Sequence, residues 1–179
     1  GFAEFVISFK QTTRYLAIAI EHGIPINGVL VAAVHASLPA GLLTALGKTR
    51  GVNLPFDDEL GGPGTPRTTY GVELDRALLA VASRATDHKA REMAELLIDA
   101  GADIEFETSD GTTAFLRAVS CKNIAVAEVI SARKYRGPSI FKDTGQTLFH
   151  LSASGDDVHC RKMIALAVQT DPGSINRVD

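Results

Sequence analysis

The sequence predicts an all-α fold made of short helices that pair and then stack, one pair on the next. Two Gly-x-Thr segments, which begin at Gly111 and Gly145, lie 34 positions apart (145 minus 111), and a period of this length is typical of stacked helical units. Apolar residues recur along the chain at helical spacing, whereas the long apolar–polar alternation of a half-buried strand is missing from the sequence. Together these patterns favour helices over a sheet.

The predicted helices are located by apolar residues at helical spacing or by short runs of small and β-branched residues. Met93, Leu96 and Leu97 fall at i, i+3 and i+4, and the stretches 124–130 and 160–168 follow the same rule. Four further short helices, rich in small and β-branched residues, are predicted at 29–35, 77–82, 115–119 and 148–153. Small side chains suit helices that approach one another closely in the middle of a stack.

The ends of several predicted helices are marked by glycine. Residues 96–105 read Leu-Leu-Ile-Asp-Ala-Gly-Ala-Asp-Ile-Glu, a helix end that runs into Gly101. Glycine is favoured there because the position after the last turn often needs a positive φ. Weaker copies of this ending lie at 18–27, 46–53 and 172–176.

These segments resemble a known repeat family. Residues 145–153, Gly-Gln-Thr-Leu-Phe-His-Leu-Ser-Ala, resemble the Gly-x-Thr-Pro-Leu-His-x-Ala-Ala segment of the ankyrin repeat, with Leu148 in place of the usual proline. Residues 111–119 resemble the same segment without its proline and histidine. Residues 96–105 resemble the family's Leu-Leu-x-x-Gly-Ala-Asp-x-Asn ending, with Glu105 in place of asparagine. The resemblance is strong over 77–178 and looser before it.

The resemblance implies a single ankyrin-repeat α-solenoid over residues 1–179, in which helix-turn-helix units stack and carry short hairpin-like fingers. The spacer at 83–89 departs from the family by being longer than the norm, and we expect the array to continue beyond both ends in the native protein. The predicted units span 1–27 (divergent), 28–55, 72–107, 108–141 and 142–179 (incomplete), with a Gly/Pro-rich insertion at 56–71.

Within this framework the motif residues acquire structural roles. Thr147 is expected to cap the first helix of its unit and to meet the imidazole of His150 one turn further on. His150 is therefore interpreted as structural rather than catalytic. Gly111 and Gly145 are expected in the fingers, at positions where a β-carbon is disfavoured.

Composition and charge exclude several classes of function. Hydrophobic residues make up 45% of the chain, which predicts a folded protein, and the net charge of −3 gives no basic footprint for nucleic acid or an acidic membrane. No apolar run approaches the roughly 20 residues of a membrane helix, and the first residues do not look like a signal peptide. Cys121 and Cys160 are expected to be reduced thiols. These features favour an intracellular protein, in the cytoplasm or the nucleus.

Two glycine-containing segments resemble nucleotide-binding loops only superficially. Residues 40–49 end in Gly-Lys-Thr, but five residues separate the glycines where a phosphate loop has four, and they are mostly Leu and Ala. A helix end explains this segment better. The Gly-rich stretch 61–64 opens no predicted helix and follows no strand, which favours a linker.

Two other groups of residues could carry chemistry. The cluster 156–160 contains Asp156, Asp157, His159 and Cys160, but no second Cys/His pair completes a tetrahedral metal site. A pairing of Cys121 with His150 as nucleophile and base has no third residue to orient the histidine. We therefore predict no enzymatic activity, no cofactor and no metal.

The leading hypothesis is a protein-binding scaffold, because the resemblance implies recognition of a protein partner by finger tips and by the inner face of the first helices. No small-molecule substrate is expected. The matching positions are Glu107, Thr108, Asp110, Thr112, Arg117, Lys142, Asp143 and Gln146. The simpler interpretation of each is a solvated turn residue. An alternative makes the chain a regulatory or targeting arm of a larger enzyme or signalling protein, and a third makes the chain itself an enzyme.

Overall fold

The computed structural model describes residues 29–35, 39, 69–84, 89–137, 140, 142, 145–148, 150, 158–170 and 172. Over these ranges the chain is helical, and its only extended pairings are two isolated bridges. The all-α prediction is confirmed for this part of the chain. The named helices are α1 (Val29–His35), α2 (Thr69–Ala82), α3 (Ala90–Asp99), α4 (Ala114–Ser120), α5 (Ile124–Ala132) and α6 (Val158–Thr170).

The helices pack in two rows. In the first row α2 lies between α1 and α4, and in the second row α5 lies between α3 and α6. The pairs α2–α3 and α4–α5, each consecutive in the chain, join the two rows. Within the described residues, each of the helices α2 to α5 therefore contacts its own pair member and its counterpart in a neighbouring pair.

The core runs continuously between the rows. Leu74 and Leu78 of α2, Leu97 of α3, Phe115 of α4 and Ile130 of α5 are all 1% exposed or less. Burial of one such side chain is worth about 1.5–3 kcal/mol relative to its exposed state. Side chains from both helix pairs therefore share one apolar core.

Helix α3 ends as its glycine predicts. Gly101 has a φ of 105°, its N–H donates to the Ile98 carbonyl, and the N–H of Ala102 donates to the Leu97 carbonyl, both at 3.0 Å. This is the Schellman arrangement, in which a residue of positive φ lets the last carbonyls of a helix find donors. Gly111 and Gly145 also have positive φ, at 80° and 67°.

Helices α4 and α5 are each followed, two residues after their last residue, by a lysine with the same left-handed backbone. Lys122 has a φ of 58° and Lys134 has a φ of 60°. Lys134 lies 33 positions after Gly101, so one unit meets this backbone requirement with glycine and the next with lysine. The lysine carries a steric cost because its β-carbon crowds the following carbonyl.

The observed bounds refine the predicted units. Helix α1 lies where the sequence placed it, and residues 85–88 of the spacer predicted at 83–89 lie outside the described residues. Helix α2 begins at Thr69, so 69–71 belong to a helix and not to the insertion predicted at 56–71. Residues 1–27 and 56–68 lie outside the described residues, as does most of the helix predicted at 148–153.

One residue of the apolar stripe predicted for α6 is exposed. Met163 and Ala167 are buried, but Val168 is 36% exposed. Of the other named helices, α6 packs mainly on α5, so only part of its apolar stripe is covered by the described residues. None of the described helices combines the length and the apolar character that a membrane span requires.

Candidate functional site

Two segments follow α3 and α5, and we name them the first finger (residues 103–113) and the second finger (the described residues between 136 and 147, which are 136, 137, 140, 142 and 145–147). An antiparallel bridge joins Glu107 to Thr113 in the first finger. The second has a matching bridge between Ile140 and Thr147. The two bridges lie 33 and 34 positions apart, so the fingers repeat with the period of the helix pairs.

Hydrogen bonds close the tip of the first finger. The N–H of Thr108 donates to the Thr112 carbonyl at 3.0 Å, and the N–H of Gly111 donates to the Thr108 carbonyl at 2.8 Å. The single hydroxyl proton of Thr108 is shared between the same Thr112 carbonyl, at 2.8 Å, and the Asp110 carboxylate. The N–H of Thr112 donates to Asp110 Oδ1 at 3.2 Å.

The closed tip changes the acidity of its carboxylate. The hydrogen bond from the Thr108 hydroxyl lowers the pKa of Asp110 below its ordinary value, with partial burial acting in the opposite direction and the Thr112 amide adding to the lowering. Asp110 therefore stays ionised and fixed at an exposed position of the finger.

The base of the first finger is anchored on α2. The N–H of Asp103 donates to Oδ1 of Asp75, a residue only 1% exposed, at 2.6 Å. The Asp103 carboxylate in turn accepts the N–H of Glu105 at 2.8 Å. A carboxylate that accepts a backbone N–H gives a strong, directional hydrogen bond. The finger is thereby held against the preceding helix pair.

The second finger is linked to the first by side chains. Lys142 forms an ion pair with Glu107, and its aliphatic stem lies over Gly111, so that a β-carbon at Gly111 would come within 2.6 Å of Lys142 Cδ. The N–H of Arg136 donates to Glu105 Oε1 at 3.0 Å. The two fingers therefore form one joined surface.

An aromatic pair fixes the junction between the fingers. The Tyr135 ring packs on Phe115 with centroids 4.7 Å apart, and its hydroxyl forms a hydrogen bond with the buried Thr113 hydroxyl at 2.8 Å. Burial raises the pKa of Tyr135 well above its ordinary value, the Thr113 hydrogen bond opposes this, and the charges of Glu105 and Glu107 add to it. Tyr135 is therefore a neutral structural residue at this junction.

Thr147 and His150 make the contact that the motif predicts. The Thr147 hydroxyl lies 2.8 Å from His150 Nδ1, and the N–H of Thr147 donates to the same nitrogen at 3.2 Å. Thr147 is 3% exposed, whereas His150 is exposed. The predicted Thr147–His150 contact is confirmed.

The structure sorts the predicted contact residues by exposure. Asp110, Lys142 and Gln146 are exposed, Glu107, Thr108 and Arg117 are half-buried, and Asp143 lies outside the described residues. Thr112 is 6% exposed and its backbone closes the finger. We therefore remove Thr112 from the set of contact residues, because a buried side chain that stabilises its own loop presents little surface to a partner.

Some residues of this surface were missed from the sequence. Glu105, Tyr135 and Arg136 connect the two fingers; the motif comparison noted Glu105 only as a replacement for asparagine, and no motif singles out Tyr135 or Arg136. The repeat spacing could have located Tyr135. It lies 33 positions after Ala102, so Tyr135 has the same place after α5 that Ala102 has after α3. The lysine at 134 obscured this match, since the glycine that marks the helix end is absent.

The described residues contain no group of three His, Cys, Asp or Glu side chains placed to hold a metal ion, and Asp156 and Asp157 lie outside the described residues. Cys121 and Cys160 are free thiols. Nδ1 of His150 is occupied by Thr147, so that nitrogen is not directed at Cys121.

The comparisons with known proteins add no relative. No protein-family model matches the sequence. Neither the curated proteins nor the solved structures include one that matches it.

Proposed function

We propose that this protein is a non-enzymatic binding module of the ankyrin-repeat type, which recognises a protein partner through its joined fingers. The support is the coincidence of three periodic features: paired helices in two rows, positive-φ glycines at 111 and 145, and one antiparallel bridge in each finger. Stacked units of this kind make an extended surface from equivalent loops.

The observation that carries the proposal is the joined finger surface. The bond between Asp103 and Asp75 holds the first finger on α2, and the Glu107–Lys142 pair ties the second finger to the first. Binding residues are commonly found on loops that a rigid scaffold positions. A preorganised loop surface also loses less conformational entropy when a partner docks.

The proposal places the contact residues at exposed finger positions and on the neighbouring helix. Asp110 and Gln146 are exposed on the two fingers, and Arg117 is half-buried on α4. This arrangement alternates acidic, polar and basic groups, so the proposed partner surface is polar and of mixed charge. Nucleic acid is not a proposed partner because the chain carries a net charge of −3.

Site-specific photo-crosslinking tests the proposal. A photoreactive amino acid is placed at Ser109 or Gln146 on the fingers, or at Glu92 or Arg161 as matched controls on α3 and α6, all four being exposed positions. In an extract of the native host, we expect a discrete protein adduct from the finger positions that is absent from the controls. Adducts confined to the control positions, or none from the fingers, would reject the proposed surface.

A further inference from the structure

We infer that the Asp110–Gly111 peptide is a latent site of spontaneous backbone isomerisation, which the closed tip of the first finger suppresses. An Asp-Gly pair is the least hindered for this chemistry, because glycine has no β-carbon beside the attacking nitrogen. The pair occurs once in the sequence, at 110–111. Every residue of the finger is described, and the Asp110 side chain at its tip is exposed, so water has access to the carboxyl group.

The reaction needs only the chain itself and water. The main-chain nitrogen of Gly111 attacks Cγ of Asp110, a bond forms between these two atoms, and the carboxyl hydroxyl leaves as water with the proton of the amide. The product is a five-membered succinimide. Water then opens this ring at one of its two carbonyls. Opening at Cγ restores aspartate, whereas opening at the main-chain carbonyl leaves Gly111 joined to Cγ, which is isoaspartate. The net change in atoms is zero.

Two backbone hydrogen bonds of the tip oppose the first step. The N–H of Gly111 donates to the Thr108 carbonyl at 2.8 Å, so the attacking nitrogen is already engaged. The N–H of Thr108 donates to the Thr112 carbonyl at 3.0 Å, which closes the loop around the Asp110–Gly111 bond. Ring closure requires the backbone at Asp110 to rotate, and that rotation breaks these bonds. The reaction is therefore hindered while the tip is closed.

The carboxyl group is also held in its unreactive form. Oδ1 of Asp110 accepts the N–H of Thr112 at 3.2 Å and shares the proton of the Thr108 hydroxyl. The Thr108 hydroxyl is the first cause that lowers the pKa of Asp110, so the protonated acid, whose hydroxyl can leave as water, is scarcer than in an unfolded chain. Isomerisation therefore depends on the fraction of molecules in which the tip is open.

Isomerisation would prevent the tip from closing again. Isoaspartate adds one carbon to the main chain between residues 110 and 111 and moves the carboxylate onto the α-carbon. The bonds of Thr108 to Gly111 and Thr112 depend on the ordinary spacing, so they cannot all form again. The modification itself is independent of the proposed function. A loss of partner binding with it rests on that function, because Asp110 is one of the proposed contact residues.

Isoaspartate formation in the full chain tests the inference without a partner. The folded chain, and the same chain held unfolded in guanidinium chloride, are incubated at neutral pH and digested. Electron-transfer fragmentation then distinguishes isoaspartate from aspartate at residue 110. We expect the folded chain to isomerise at least about tenfold more slowly than the unfolded chain. Equal rates, or no isoaspartate in the unfolded chain, would overturn the inference.

Matched threonine variants test the contribution of the Thr108 hydroxyl. Thr108→Val removes this hydroxyl with little change in volume, and Thr108→Ser keeps it. Thr170→Val is the control, because it removes a hydroxyl that donates to the Leu166 carbonyl on α6. We expect Thr108→Val to isomerise about fivefold faster than the parent, the effect of one ordinary hydrogen bond on the open fraction. The other two variants should keep the parental rate.

The variants can also contradict the inference. A parental rate in Thr108→Val, or an equal increase in Thr170→Val, would show that the bonds of Thr108 do not control the reaction. If circular dichroism shows that Thr108→Val has lost its helices, the comparison of the folded with the unfolded parent still decides. Failure of the crosslinking experiment above, with these isomerisation results intact, would reject only the binding function.

Discussion

At the scale of single residues, equivalent positions after two helices hold different residues, glycine and lysine, with the same left-handed backbone. Gly101 and Lys134 both follow the last turn of a helix with positive φ. No heavy atom lies within 4 Å of where a β-carbon would stand on Gly101, so a side chain there meets only the backbone cost. The two positions therefore isolate that cost from any clash.

Substitutions at these two positions should change stability in opposite directions. We expect Gly101→Ala to lower the free energy of unfolding by about 1 kcal/mol and Lys134→Gly to raise it by about 0.5–1 kcal/mol. Urea melts of both variants measure this. Stabilisation by Gly101→Ala would mean that the backbone there is not left-handed in solution.

The junction residue Tyr135 should make the fold sensitive to alkali. Burial, as the first cause, raises its pKa above the ordinary value of 10.0, so folding favours the protonated phenol. This contribution is complete below the unfolded-state pKa and is lost as the pH rises through the folded-state pKa. We expect stability to decline from about pH 10 upward.

Tyr135→Phe provides the control for that decline. The variant loses the bond to Thr113, which should cost about 1 kcal/mol at neutral pH, and it cannot ionise. Chemical denaturation at a series of pH values should show a flatter alkaline limb than in the parent. An identical alkaline decline in both proteins would assign the effect to another group.

At the scale of helices, one side chain connects two units. Asn123 caps α5 by accepting the N–H of Val126 at 3.3 Å, and its amide donates to the Val81 carbonyl of α2 at 3.0 Å. It is 2% exposed. The cap and the link between units thus depend on one buried amide.

Two substitutions of Asn123 should separate these roles. Asn123→Ser keeps a good capping group but is too short to reach Val81, whereas Asn123→Ala loses both. We expect losses of about 1 kcal/mol for serine and about 2 kcal/mol for alanine. Equal losses in thermal or urea unfolding would show that the cap contributes nothing measurable.

The sequence predicted helices more accurately than the surface between them. Helical spacing located α3, α5 and α6, because burial on one face imposes a period that composition reveals. The start of α2 at Thr69 was missed, because the glycines and prolines before it indicated a loop. The links through Asp75, Tyr135 and Arg136 depend on contacts between units, which spacing within one unit does not encode.

At the scale of the whole molecule, the stack is held by its core rather than by its ion pairs. The Arg133–Asp99 ion pair, at 2.8 Å, joins α5 to α3, and its two side chains are 44% and 63% exposed. Such surface pairs contribute about 0–1 kcal/mol. Leu97 is fully buried between the rows.

Two substitutions compare the contribution of apolar burial with that of a surface ion pair. We expect Leu97→Ala to lower the free energy of unfolding by about 2–5 kcal/mol and Arg133→Gln by less than about 1 kcal/mol. Denaturant titrations at low and high salt measure both. A larger loss for Arg133→Gln than for Leu97→Ala would show that charge, and not apolar burial, holds the units together.

The central claim is that helix pairs repeat by translation along one stack. An experimental structure that covers residues 135–168 tests it most directly, since a unit equivalent to 101–134 must appear there. We predict a helix over residues 148–153 that packs on α4 as α4 packs on α2, with Gly145 superposing on Gly111. An extended strand at 148–153, or a helix that does not contact α4, would contradict the account.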